Sequence, residues 1–129
     1  MEEPNKRISE LTMPELQTTL GTLYSVYFSI DLEDKRNAEK AKTLCRECFK
    51  YHGKLFVWKL RELFSYYSHG LLDGLENTEP EIHSIFIYKM KKAYFNNPDK
   101  VRRKWELEQQ ESEQMQEAMG QKKISGRKN

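Results

Sequence analysis

Long hydrophobic runs are missing from this chain. Even the aromatic stretch around Trp58 is broken by Lys59, Arg61 and Glu62, well short of the roughly 18 consecutive apolar residues that a membrane-spanning helix needs. No membrane partner is expected. Cysteine is scarce as well. Cys45 and Cys48 are the only two, too close together for a disulfide to close a useful loop, so the sequence predicts free thiols in a reducing, intracellular setting, cytoplasmic or nuclear. The opening residues Glu2, Glu3, Pro4 and Asn5 supply neither the basic lead and apolar segment of a secretory signal nor the arginines of a transit peptide. A Gly-rich phosphate loop, a paired-His metalloprotease pattern and a Gly-flanked nucleophilic serine are absent too. The expectation is a protein that is not an enzyme and holds no cofactor.

Charge of one sign is also lacking, since the net charge over 129 residues is only +2. The charges are segregated. Residues 35 to 61 carry nine Lys or Arg against two Asp or Glu, and residues 89 to 104 carry seven against one. Between and beyond them lie blocks with no Lys or Arg: residues 62 to 88 and residues 105 to 120 each hold five acids. Such blocks either pair with one another or present basic faces to an acidic partner.

What is present is helical grammar. Thr12-Met13-Pro14-Glu15 forms a capping box with proline placed where no donor is lost, and Leu16, Leu20, Leu23, Tyr24 and Tyr27 follow at three- and four-residue steps. Asp31 or Asp34 is positioned to cap a second helix, in which Ala38, Ala41, Cys45, Cys48 and His52 share one face. Gly53 breaks or kinks the pattern before a third helix carrying Phe56, Leu60, Leu63, Phe64 and Tyr67. A loop from about Ser68 to Asn77 leads to Thr78-Glu79-Pro80-Glu81, which repeats the start signal. Ile82, Ile85, Phe86, Met90, Ala93 and Tyr94 then mark a core face. Asn96-Asn97-Pro98-Asp99 ends that helix and begins another, whose last anchors are Val101 and Trp105.

The predicted fold class is therefore all-α: a small bundle of four or five helices with a protruding polar C-terminal helix and a disordered basic tail from Gly120. The predicted boundaries are a flexible N-terminus over residues 1–10, a bundle domain over 11–107, and polar helix and tail over 108–129.

Three constellations bear on function. Cys45, Cys48 and His52 fall on one helical face, as soft-metal ligands would. Structural zinc needs four ligands, with His69 or His83 available as the fourth, whereas buried cysteine packing explains the same spacing without metal. The latter reading is preferred, with no metal assigned. Lys89, Lys91 and Lys92, followed after the turn by Lys100, Arg102, Arg103 and Lys104, interleave with Tyr94, Phe95 and Trp105. Cations that neutralise phosphates and rings that stack on bases make this the nucleic-acid-binding candidate, set against a solvated face. Finally, Trp58 and Tyr66 lie off the main stripe of the aromatic helix, and Met115 and Met119 sit on the polar C-terminal helix. Aromatics and methionines outside a core face serve as interface anchors. The resulting expectation is a small helical adaptor or regulatory protein acting through protein–protein contacts. The alternative is a DNA- or RNA-binding regulator using its basic stripes.

Overall fold

The computed structural model describes residues 5–128, with side chains described over residues 5–119. The predicted all-α class is what it shows. Five helices follow one another: α1 (Met13–Phe28), α2 (Ala38–Tyr51), α3 (Val57–Ser68), α4 (Ser84–Asn96) and α5 (Pro98–Lys128). The chain divides into two units, Met1–Asn96 and Asn97–Asn129. Pro98 starts a single helix that runs on past Val101 and Trp105.

In the first unit α1 packs on α2 and α3, and α4 packs on the same two helices. Helix α1 begins with the capping box read from sequence: the Glu15 amide donates to Thr12 Oγ1 at 3.2 Å and the Thr12 amide to Glu15 Oε1 at 2.8 Å. It ends where Ser29 adopts a left-handed conformation, φ 57°. Leu16, Leu20, Leu23 and Tyr24 are its buried face. Tyr24 and Phe28 meet Phe64 of α3 at ring separations of 5.3 and 5.2 Å, and Phe86 of α4 closes the cluster against Tyr67 at 4.9 Å. These rings make one shared aromatic core for three helices.

Helix α2 is not capped by an aspartate. Both carboxylates are engaged one turn too early: Asp31 Oδ1 accepts from the Glu33 amide at 2.9 Å, and Asp34 Oδ1 accepts from the Arg36 amide at 2.9 Å. Asn37 stands at the N-cap, with its side-chain amide donating back to the Asp31 carbonyl at 2.8 Å. The start signal at Thr78 is likewise diverted. Its hydroxyl donates to the Leu75 carbonyl at 2.8 Å, and Tyr67 Oη donates to the Thr78 carbonyl at 2.7 Å. Helix α4 therefore begins only at Ser84, where His83 Nδ1 accepts from the Ile85 amide at 3.0 Å. His83 works as a local cap.

Residues 5–10, expected to be flexible, are tied down. The Ile8 amide donates to the Leu55 carbonyl, the Ser9 amide to the Gly53 carbonyl and the Val57 amide to the Lys6 carbonyl, each at 2.9 Å. Ile8 is fully buried. Gly53 permits this approach: a Cβ there would lie 3.0 Å from the Phe49 carbonyl oxygen and 3.2 Å from Ser9 Cβ. Three backbone bonds and one deeply placed isoleucine outweigh the polarity of the segment around them.

In the second unit, Asn97 Oδ1 accepts from the Lys100 amide at 3.2 Å and caps α5. The helix spans 31 residues, about 46 Å at the usual rise. Its backbone continues past Gly120, where the sequence predicts an unstructured basic tail; the side chains from that point lie outside the described residues. Among the described residues no helix is long and apolar enough to cross a membrane.

Candidate interaction surface on helix α4

Helix α4 has two apolar faces, and only one is used by the fold. Phe86, Ile87, Met90 and Tyr94 are buried against α2 and α3. On the far side Ile85, Tyr88 and Phe95 remain 52%, 52% and 53% exposed. With Lys92 between the second and third, these positions advance by three, four and three residues, which aligns them along one side of a helix. Lys89 borders the stripe. Its ammonium lies 3.9 Å from Glu81 Oε1, and both side chains are largely exposed, so the pair is screened by water and holds the lysine only weakly. From Ser84 to Asn96 the helix contains three lysines and no acid. The result is an exposed, basic, aromatic strip about 15 Å long.

The core-face spacing in the sequence includes Ile85, which the structure leaves exposed, and does not include Tyr88. The signal was present in the second three-four-three series but was masked by the adjacent Phe86, Met90 and Tyr94 series, because a helix apolar on both sides shows no clean boundary.

The other predicted residues are distributed differently from what their spacing implied. Tyr66 is buried, stacked on Tyr94 with ring centroids 5.6 Å apart and an interplanar angle of 9°. It is a core residue, not a surface anchor. Trp58 is 40% exposed and is held from two sides, by the Phe56 ring at 5.9 Å and by the Lys59 ammonium 4.8 Å from its centroid. That ammonium is itself fixed by Glu62 Oε1 at 2.7 Å and Tyr94 Oη at 3.0 Å. Met115 and Met119 are exposed on α5.

The basic stripe is divided between the two units. Lys89, Lys91 and Lys92 belong to the first unit, whereas Lys100, Arg102, Arg103 and Lys104 belong to the second. Lys91 moreover turns inward, placing its Nζ 3.3 Å from His52 Nδ1, and burial pulls its pKa below the usual lysine range.

Compared with protein-family models, curated proteins and solved structures, this chain matches none.

The fold explains the Cys/His constellation. Cys45 and Cys48 are buried free thiols. Burial raises both, Cys48 to about 12, which leaves them protonated near neutrality and poor as ligands or nucleophiles. His52 is buried too, and both ring nitrogens are engaged: Nε2 meets the Ser84 carbonyl at 3.1 Å and Nδ1 meets Lys91. Among the described residues no group of three or more His, Cys, Asp or Glu is arranged to hold a metal ion. One further surface is an open groove of about 630 Å³ between α1 and α2, floored by small residues such as Thr18, Gly21, Ala38 and Ala41.

Proposed function

We propose that this chain is a non-catalytic helical module that acts through protein–protein contacts, with the outer face of α4 as its binding surface. The observation that carries the reading is the half-exposed line Ile85–Tyr88–Phe95, flanked by Lys89 and Lys92, on a helix whose opposite face is already committed to the core. Large apolar side chains aligned on a rigid, well-packed element gain from being covered, and aromatic rings with few rotatable bonds lose little entropy when ordered. Lysines beside them favour an acidic, amphipathic partner surface, as a helix laid into a groove provides.

A second reading is supported by Lys50, whose ammonium lies 5.2 Å from the centroid of the exposed Tyr51 ring. Rings paired with cations are what single-stranded nucleic acid uses. One experiment separates the two. A photo-crosslinking residue is introduced in place of Tyr88 and, separately, of Tyr51; the first is expected to give a polypeptide adduct, identified by mass spectrometry. A nuclease-sensitive adduct would move nucleic acid to first place, and no adduct at all would remove the α4 face as a binding surface.

A further inference from the structure

The complement of the α4 face is carried by the same chain. From residue 105 to 120 there are five glutamates and no lysine or arginine. Within this stretch Leu107, Met115 and Met119 are exposed on α5, at 59%, 68% and 65%. Leu107, Glu111, Met115 and Met119 recur every fourth residue, so they form one slowly turning stripe of three apolar side chains and one glutamate, with Glu108 on the same side of the helix and Glu106, Glu113 and Glu117 on the opposite one. The stripe is about 18 Å long and the α4 strip about 15 Å. One is apolar and acidic, the other apolar and basic, and both are uncovered.

We infer that the partner of the α4 face is a second copy of this chain, whose α5 lays its Leu107–Met119 stripe along Ile85, Tyr88 and Phe95 with Glu111 facing Lys89 and Lys92. This rests on the reading of α4 as a protein-binding face. Because each copy carries both halves, a reciprocal exchange would form two seams instead of one. Doubling matters. A stable dimer needs about 1,200 Å² or more of buried surface, and two helix-on-helix seams come far closer to that than one. The methionines suit this role, since their flexible thioethers fill the irregular spaces between aromatic rings.

Charge reversal in the full-length chain tests the inference. Sedimentation of the purified wild type is expected to show a monomer–dimer equilibrium that weakens as salt is raised. Lys89→Glu/Lys92→Glu makes both stripes acidic, and Glu111→Lys/Gln114→Lys makes both basic. Each variant alone is expected to dimerise about tenfold more weakly or worse. Mixed in equal amounts, the two are expected to form a heterodimer, because every seam then joins opposite charges. Lys89 and Lys92 lie on α4, Glu111 and Gln114 lie on α5, and all four are exposed, so helical circular dichroism should be unchanged. A wild type that stays monomeric, a dimer indifferent to both reversals, or a mixture that fails to associate would each overturn the inference. A monomeric wild type that still crosslinks through position 88 to a different polypeptide would overturn the self-association while leaving the α4 reading in place.

Discussion

The Lys91 ammonium lies 3.3 Å from His52 Nδ1, on the side of the ring opposite the Ser84 carbonyl, which meets Nε2 at 3.1 Å. An ammonium has only protons to give, so Nδ1 must accept and Nε2 must carry the single ring hydrogen. This arrangement needs neutral histidine. Burial is the main reason the His52 pKa falls below its ordinary 6.5, with the Lys91 charge acting in the same direction, while the Ser84 carbonyl and Glu47 oppose it. Glu47 is tied in through Ser84 Oγ, which donates to its Oε1 at 2.6 Å. The seam joins α2 to α4 and so supports the face proposed for binding.

Acid should loosen that seam. The folded-state pKa of His52 is lowered, so between it and 6.5 the unfolded chain binds more protons and stability rises with pH. The contribution is complete above about pH 6.5 and is lost as pH falls toward the folded value. The melting temperature of the wild type is expected to drop across this window, and that of His52→Gln to drop less, when both are followed by circular dichroism. Parallel curves would show that other groups govern the acid limb.

The two thiols should be inert. With Cys48 raised to about 12 and Cys45 also raised by burial, alkylation of the native protein at neutral pH is expected to be slow at both sites and to become rapid only in denaturant. Added zinc should leave the melting point where it was. A rise on zinc addition would reopen the Cys45, Cys48 and His52 constellation as a metal site.

The N-terminal clip should be worth measuring by urea unfolding. Ile8→Ala removes a fully buried side chain and is expected to destabilise by about 2–5 kcal/mol. Gly53→Ala forces a methyl group to within 3.0 Å of the Phe49 carbonyl oxygen, with an expected loss of about 1–3 kcal/mol. Values near zero for both would mean that residues 5–10 add nothing to the fold.

Trp58 and Tyr66 should separate cleanly. Tyr66→Ala opens a cavity beside Tyr94 in the core and is expected to cost about 3–5 kcal/mol. Trp58→Ala leaves the core intact and should cost less than half of that, since the ring is already partly in water. Equal losses would place Trp58 in the fold rather than on the surface.

Much of this architecture was legible in the residue order. The capping box at Thr12, the break at Gly53, the turn at Asn97–Pro98 and the all-α class are local: each depends on hydrogen bonds or backbone angles within a few residues, which sequence specifies directly. The face on which Tyr66 points inward, the inward turn of Lys91 and the anchoring of Ile8 are not local. Tyr66 is buried because Tyr94, distant in sequence, supplies a ring to stack on, and Lys91 turns in because His52 offers an acceptor. The start signals at Asp31, Asp34 and Thr78 are chemically sound, yet the two carboxylates accept from other backbone amides and the Thr78 hydroxyl donates to the Leu75 carbonyl. The exposed strip on α4 belongs to this second kind. Periodicity marks both sides of that helix as apolar, and only the packing of α2 and α3 decides which side is buried and which is left exposed.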